Sequence, residues 1–570
     1  MHIFRKKSKQ DPAKLPRNRW IALAIVLLAS FMDLLDVTIV NVAVPSIQHQ
    51  LGANYAAVQW VLAGYTLAFA VLLITGGRLG DIFGRKRLFM LGVGGFTLAS
   101  LLCGIAGTPE YLIAARILQG TFAALMIPQV MASLVVLFPS TKERLSASGM
   151  YGAIAGLATV GGPIIGGLLI QGNPFDLEWR SIFLVNIPVG IFALAAAATF
   201  LPESKSPHPL KLDWIGMGLV TTALFGLLFP VIQGRDLDWP AWGFVMMGVA
   251  IVLLGFFIWY EARKTRKDGS PLMVLELFKS RAFVGGLGLF LVFMGALSGY
   301  FLFVTLFMQL GLGYSALLAG AAGVPFSIGV GVATGRLTPR LIPKIGRKIL
   351  HIGAVLLVVA MLSIAGLLHI FGTDITAWHL MVSFLIGGLG MGMVIAPLFT
   401  FVLGGVPHRD AGSASGVLNT IQQIGSAFGI AILGVVFFQL VATNAAPSAA
   451  TSEDTLRGEL TELGVPMPAQ ETVVKQFTTC FTDRAKAKDQ SVEPVSCQTA
   501  KHQGSTLPAH IGQKIGDGVA AAAKKATIKN FVESFKQILL FEAALFVICF
   551  GLIFFLPKHA PEHPDIPTIA

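Results

Sequence analysis

Residues 77–87 read GRLGDIFGRKR, a short basic connection between two long apolar stretches at 55–77 and 88–106. A helix needs about 20 apolar residues to cross the hydrocarbon of a bilayer, and both stretches reach that length. The sequence therefore predicts a tight turn between two transmembrane helices. A looser copy of the pattern begins 258 residues later, at 335–348, again between two apolar stretches. This repeat favours a chain built from two related halves.

The composition of the whole chain points to the same class of protein. Of its 570 residues, 54% are hydrophobic and only 13% are charged, whereas soluble globular domains are roughly 25% charged. These proportions exclude a soluble enzyme, a disordered scaffold and a small disulfide-rich secreted domain. Long unbroken apolar runs exclude a transmembrane β-barrel, whose strands alternate apolar and polar residues. The remaining class is an all-α integral membrane protein that crosses the bilayer many times.

Fourteen apolar stretches are long enough to span the membrane. They lie at 20–45, 55–77, 88–106, 110–137, 145–170, 181–201, 213–233, 241–260, 283–309, 315–335, 349–371, 377–403, 412–442 and 533–556. The repeat groups them into two pseudo-symmetric six-helix bundles, with spans 7 and 8 inserted between the bundles. The predicted regions are a basic tail (1–19), an N-terminal bundle (20–201), an inserted pair (213–260), a C-terminal bundle (283–442 and 533–556), a long polar connection (443–532) and a second tail (557–570).

The distribution of Lys and Arg predicts the orientation of the chain. With the N-terminus inside, the inner segments carry 28 of the 42 basic residues and the short outer connections carry 2. Cytoplasmic loops are enriched in Lys and Arg, so both termini are expected in the cytoplasm and 443–532 outside. The net charge of +12 is then explained by inner segments that face anionic lipid. No basic soluble domain is present, so we expect no nucleic-acid partner.

Four cysteines divide between spans and the long connection. Cys103 and Cys549 fall in spans, where cysteine usually packs as a small apolar residue. Cys480 and Cys497 both fall in 443–532, on the side where disulfides persist, and we favour a bridge over two free thiols. No metal-ligand spacing is present, so we expect no metal and no cofactor.

Charged side chains inside predicted spans are the strongest functional signal, because each costs about 2.5–3.5 kcal/mol at mid-membrane. Asp33 and Asp36 lie three residues apart in span 1, on one helical face. Two such carboxylates repel when both are ionised and titrate as a coupled unit, as a proton site would. Arg116, in span 4, keeps its charge and could act on them. The alternatives are carboxylates satisfied by interhelical hydrogen bonds and an arginine that extends to the membrane surface.

One further acid, Glu542, falls in span 14. By the predicted boundaries it lies near the outer end of that span, so we expect it to reach the headgroup region and to have no functional role.

Several ordered motifs resemble the major facilitator superfamily. GRLGDIFGRKR at 77–87 is similar to its signature between spans 2 and 3, and LDVTIVNVAVP at 35–45 resembles the first-span signature of the fourteen-span drug:proton antiporter branch. Residues 116–120 resemble the fourth-span motif, and residues 149–167 the fifth-span antiporter motif. The stretches 179–190 and 411–416 fit as well. The resemblance covers residues 20–442 and extends to 533–556.

The resemblance implies roles for particular residues. Asp81 and Arg85, with Gly77 and Gly84, would form a cytoplasmic latch between the halves. Gly162, Pro163 and Gly166 would form the kink of the antiporter motif, and Asp33, Asp36 and Arg116 would couple protons. Spans 9 to 13 contain no acid, which argues against dicationic cargo.

We therefore expect a proton-coupled exporter of amphipathic organic compounds such as drugs, dyes and antibiotics, monomeric, in a bacterial cytoplasmic membrane and not an enzyme. A central, largely apolar cavity would bind the cargo. Candidates to line it are Asn41, Trp60, Tyr65, Phe69, Gln119, Tyr300, Phe303, Phe307, Asn419 and Gln422. Two alternatives stay open: a translocase of the same fold that takes lipid or a lipid-like cargo from the bilayer, and a non-transporting sensor that uses 443–532 to bind a partner.

Overall fold

The computed structural model describes residues 18–138, 141–205, 212–234, 236–268, 272–273, 275–403, 411–487, 493–499 and 509–558. Within these ranges the chain is helical and forms no β-strand. The helices are α1 Arg19–Leu51, α2 Tyr55–Phe83, α3 Arg85–Gly104, α4 Pro109–Leu137, α5 Thr141–Gly172, α6 Ser181–Leu184, α7 Asn186–Phe200, α8 Trp214–Gln233, α9 Ala241–Asp268, α10 Arg281–Leu306, α11 Ala316–Ala322, α12 Val324–Val332, α13 Thr338–Ile345, α14 Lys348–Phe371, α15 Ala377–Leu403, α16 Ala411–Glu462, α17 Met467–Lys486 and α18 Ala509–Leu552.

Thirteen helical segments in the described part of the chain are long and apolar enough to cross a membrane. The expected fifth span, 145–170, corresponds to α5, which is not among these thirteen. The all-α polytopic fold class is thus confirmed, and the count of fourteen stays a prediction, as do the domain boundaries.

Two expected spans are interrupted helices. Span 6 consists of α6 and α7, which meet at Val185. Span 10 consists of α11, α12 and α13, with a break at Gly323 and a π-helical turn at Ala333–Leu337. Pro325 follows the first break and cannot donate a backbone hydrogen bond, which accounts for the discontinuity there.

We call the end of the bundle that continues into residues 443–532 the outer end. At this end the predicted halves touch at several points. Tyr55 of α2 stacks on Phe438 of α16 with 3.6 Å between ring centroids, and the Gln309 amide donates to the carbonyl oxygen of Val42 at 2.9 Å. The two halves are therefore in contact at the outer end in this conformation, and we call these contacts the outer closure.

The segment 443–532 is not an irregular connection. Helix α16 continues without a break to Glu462, and α18 begins at Ala509, far ahead of the expected span at 533. These extensions pack with α17 around a small apolar core that includes Leu456, Phe477 and Ala526. A disulfide joins Cys480 and Cys497. The expected boundaries at 442 and 533 therefore mark where the apolar composition changes, whereas the helices themselves extend beyond them.

Candidate functional site

The two acids of α1 lie in the interior of the first six-helix group. Asp33 and Asp36 are both buried, three residues apart on one face of the helix. Helix α1 packs against α2, α4, α5 and α7, so these carboxylates are surrounded by protein and do not face lipid.

Asp36 is the centre of a polar network formed by four helices. Its Oδ2 forms an ion pair with Nη1 of Arg116 from α4. Its Oδ1 accepts hydrogen bonds from Nε2 of Gln119, also on α4, at 2.8 Å and from Nδ2 of Asn186, at the start of α7, at 3.1 Å. Ser100 of α3 completes the group, because its Oγ accepts from Gln119 Nε2 at 2.9 Å and from Asn186 Nδ2 at 3.3 Å. Both Asp36 oxygens are therefore satisfied by charge-assisted bonds.

Arg116 is only 1% exposed, which contradicts the alternative of an arginine extending to the membrane surface. Besides Asp36, Nη1 donates to Oε1 of Gln119 at 2.6 Å and Nε donates to the carbonyl oxygen of Val61 at 3.2 Å. The guanidinium also lies over the ring of Tyr65, 4.3 Å from its centroid, as in a cation–π contact. Arg116 is therefore a fixed positive charge with a counterion and several neutral partners.

Asp33 has a different environment. Its Oδ1 accepts a hydrogen bond from the hydroxyl of Tyr65 on α2, and no ion pair to it is found among the described residues. The Tyr65 ring itself lies under Arg116. Tyr65 therefore contacts both Asp33 and Arg116, the counterion of Asp36.

The residues of the antiporter motif place α5 against this part of α1. A Cβ on Gly162 would overlap the Thr38 hydroxyl, and a Cβ on Gly166 would lie 2.7 Å from Cγ1 of Ile39. Pro163 lies inside α5 between them. The close approach needs glycine, and it brings α5 within two or three residues of Asp36.

The predicted latch residues lie at the turn between α2 and α3. Nη2 of Arg85 donates to Oδ1 of Asp81 at 2.9 Å, within the turn itself. Gly84 has a φ of +112°, which favours glycine, and a Cβ there would lie 2.5 Å from a carboxylate oxygen of Glu203. Gly77, seven residues before Gly84, lies beside Pro128 of α4. A latch that joins the two halves remains a prediction.

The predicted cavity residues separate into three groups. Tyr65 and Gln119 are fully buried in the acid network, and Phe69 packs beside Tyr65. The second group packs within helix interfaces: Trp60 lies against Phe225 and Phe229 of α8, Phe303 stacks on Phe437, Phe307 stacks on Phe535, and Tyr300 lies against Phe326. Asn41, Asn419 and Gln422 retain partial exposure. The first two groups are thus packed against protein in this conformation, whereas the third keeps some accessible surface.

The expectation for Glu542 was wrong. Its side chain is 0% exposed, so it does not reach the headgroup region. The error arose because α18 begins well before residue 533 and therefore enters the bundle earlier than the apolar composition suggested.

Two members of the network, Ser100 and Asn186, were not predicted as site residues. Asn186 stands as a lone amide at the start of an apolar helix, a signal that could have singled it out. Ser100 gives no such signal, because serine is common in transmembrane helices.

The arrangement can bind and release a proton and transmit that event to helix packing. Protonation of Asp36 would remove the counterion of Arg116 and weaken bonds that join α1 to α4 and α7. No group of three or more His, Cys, Asp or Glu side chains placed to hold a metal occurs among the residues that the structure describes.

Comparisons with known proteins identify the family of the chain and structures of similar fold. Residues 26–430 match the family model of the Major Facilitator Superfamily. A probable actinorhodin transporter of Streptomyces coelicolor is 40% identical over 545 residues, 96% of this chain and 93% of the relative. The multidrug resistance protein Stp of Mycobacterium tuberculosis is 31% identical over 536 residues, 94% of this chain and 91% of the relative. A crystal structure of a POT family transporter in complex with 5-aminolevulinic acid has a similar fold, with a TM-score of 0.56 and 15% identity over 75% of this chain and 91% of that chain.

Proposed function

The chain belongs to the Major Facilitator Superfamily, and we propose that it exports drugs in exchange for protons. Its relatives are named for actinorhodin transport and for multidrug resistance. The protein is likewise a drug-efflux transporter, a multi-pass protein of a bacterial cell membrane and not an enzyme. Proton coupling, the class of cargo and the orientation of the termini are the parts of the proposal that need direct tests.

The observation that carries proton coupling is the Asp36–Arg116 pair. An ion pair with 0% and 2% side-chain exposure is costly to bury, and its retention calls for a role beyond stability. In the present conformation Asp36 is held by Arg116, Gln119 and Asn186. A proton reaching Asp36 neutralises it and weakens its bonds to α4 and α7. Arg116 then keeps its contacts with the Val61 carbonyl and the Tyr65 ring.

Loosening α1 matters because this helix lies at the junction of the two halves. It packs on α5 through Thr38 and Ile39, and its Val42 carbonyl accepts from Gln309 of the other half. A change in the packing of α1 therefore reaches the closed outer end, and alternation of access follows. A proton moving down 100 mV supplies about 2.3 kcal/mol, in addition to its concentration term.

We propose that the cargo is amphipathic and neutral or monocationic. Three of the predicted cavity residues, Asn41, Asn419 and Gln422, are amides that keep partial exposure, and an amide can fix the orientation of a ligand without a charge. Spans 9 to 13 supply no acid that could pair with a second positive charge.

Transport by the purified protein in proteoliposomes tests this function. We expect a pH gradient to drive movement of at least one compound in a panel of actinorhodin, other antibiotics, dyes and lipids. Collapse of the gradient with an ionophore should abolish that movement. Transport that persists without any proton gradient would contradict proton coupling, and movement of lipid alone would replace drug efflux by lipid translocation.

A further inference from the structure

The second helix group contains a buried acid that the proposed mechanism does not use. Glu542 of α18 is 0% exposed, and neither of its carboxyl oxygens has a hydrogen-bond partner among the residues that the structure describes. Asp36 is equally buried but has three partners. Glu542 is therefore the less well satisfied of the two acids.

Ring contacts between α10 and α18 fix the depth of Glu542. Phe535 stacks on Phe307 with centroids 4.5 Å apart, and Phe546 meets Phe293 at 6.1 Å. The two helices are thus antiparallel, and Glu542 lies between these pairs, near the middle of α10. Tyr300 lies on α10 between Phe293 and Phe307, and the other titratable residue of α10, Arg281, is at the start of that helix.

The other neighbouring helices bring no opposite charge to Glu542. The intramembrane part of α16, residues 411–442, contains no titratable residue. The titratable residues of α14 are Lys348, His351 and His369. His351 packs against Phe550 and Phe554, two turns or more from Glu542 along α18, and His369 lines a surface cleft with Lys525 and Lys529, further out along α18. On α18 itself, Glu533 pairs with Lys529 and Lys536 further out, and Cys549 lies two turns further in.

An ionised carboxylate in such a place would lack any compensation, and the cost of an unpaired buried charge is several kcal/mol. A ligand that neutralises it must fit beside a side chain with no accessible surface. An organic cation is too large, and a metal ion would find one carboxylate where it needs several oxygen ligands. A proton neutralises the carboxylate and needs no additional space.

The position of Glu542 also corresponds to that of the acid network. In the first group Asp36 lies where α1 meets α7, the first and sixth spans. In the second group Glu542 lies where α10 meets α18, the first and sixth spans of the predicted C-terminal bundle. Each acid would meet water only when its own bundle repacks and these two spans separate.

We propose that Glu542 is a second proton-binding site, which is protonated in this conformation and releases its proton when the C-terminal bundle opens to water. The proposal rests on the proposed function, in that the second proton is exchanged during the same cycle. The transporter would then have a proton-binding site in each bundle.

Infrared difference spectroscopy of the purified protein in lipid tests the site directly. The Glu542→Gln variant is isosteric and neutral, so we expect it to fold like the wild type. Glu542→Leu provides a second neutral variant, because an apolar side chain suits a buried position. Glu533→Gln is the matched control, an acid on the same helix outside the apolar core.

On raising the pH, the wild type and the Glu533→Gln variant should lose a protonated-carboxyl C=O band that is absent from both Glu542 variants. A wild-type spectrum in which the Glu542 band never changes, or an identical band in the variants, would overturn the proposal. In proteoliposomes the Glu542→Gln variant should move fewer protons per cargo molecule than the wild type. An unchanged ratio would likewise overturn it. If the wild type shows no proton-linked transport, the proposed function fails, whereas the infrared result still decides whether Glu542 exchanges a proton.

Discussion

At the scale of single residues, the partners of a buried charge decide what it can do. Asp36, Asp33 and Glu542 are all buried carboxyl groups. Asp36 has an arginine and two amides, Asp33 has the hydroxyl of Tyr65, and Glu542 has no partner among the described residues. A group with a permanent counterion holds helices together until it is protonated, whereas a group without one is stable in the interior only when neutral.

Replacing Arg116 tests the importance of this counterion. Arg116→Ala leaves the Asp36 charge buried and unpaired, so we expect a loss of about 3–5 kcal/mol of stability and loss of gradient-driven export. Arg116→Lys keeps the charge but lacks the forked donors that reach Gln119 and Val61. We therefore expect a smaller loss of stability than in Arg116→Ala, together with reduced export. Thermal unfolding in detergent together with proteoliposome transport measures both effects. Wild-type stability and transport in the Arg116→Ala variant would remove the pair from the mechanism.

The acids and the arginine were predictable from the sequence, since each is a costly exception in an apolar span. The other side chains that these residues contact, such as Asn186, were not predictable in the same way. Asn186 is 150 positions away from Asp36, and one amide in an apolar helix does not reveal which helix it faces. Glu542 was placed at the wrong depth because the apolar composition of a span marks neither where its helix begins nor how it is staggered against α10.

At the scale of the elements, close helix packing determines which end of the transporter is closed. Helix α5 contacts α1 through Gly162 and Gly166 and contacts α11 through Pro163 and Gly320. The same helix therefore touches the acid-bearing helix of one half and the outer end of the other half. This position suits α5 to transmit a change near Asp36 to the outer closure.

A methyl group at Gly320 should disturb that closure. A Cβ on Gly320 would overlap the carbonyl oxygen of Pro163, whereas Gly331, in the next helix, has nothing within 4 Å of its Cβ position. Overpacking costs about 1–3 kcal/mol, so we expect Gly320→Ala to shift the population toward an outer-open state and Gly331→Ala to have no effect. Spin labels at Gln171 and Leu318, both exposed, report the distance between α5 and α11. Identical distance distributions in the two variants would show that this contact does not control closure.

The helical structure of residues 443–532 could not be predicted from apolar length alone. Apolar length identified the membrane-crossing parts of α16 and α18, but a helix continues past the hydrocarbon wherever its polar residues tolerate helical geometry. The extensions are stabilised by contacts with α17 around Leu456, Phe477 and Ala526. Such contacts join segments far apart in sequence, so the apolar pattern of one segment could not reveal them.

At the scale of the whole molecule, two halves in contact at the outer end form one state of an alternating carrier. Tyr55, Val42 and Pro163 of the first half meet Phe438, Gln309 and Gly320 of the second. The predicted orientation makes this the extracytoplasmic side, so these contacts would join the halves on the side away from the cytoplasm. The acid network lies within the first half, and its protonation must therefore act through helix packing.

Orientation can be tested by labelling single introduced cysteines. Glu471 on α17 and Arg340 on α13 are both exposed. The native Cys480 and Cys497 are bonded to each other, and Cys103 and Cys549 are buried, so the background reaction should be low. We expect an impermeant maleimide to label Glu471→Cys in intact cells and Arg340→Cys only after permeabilisation. The reverse pattern would invert the topology and place the closed end in the cytoplasm.

The most direct test of the account compares two transport modes of the Asp36→Asn variant in proteoliposomes. Asparagine keeps the size of the side chain and cannot be protonated at this position. We predict that the variant still exchanges labelled for unlabelled cargo across the membrane without a gradient, yet neither accumulates cargo nor moves protons when a pH gradient is imposed. Accumulation and proton movement at wild-type rates in Asp36→Asn would contradict the claim that this buried acid couples protons to transport.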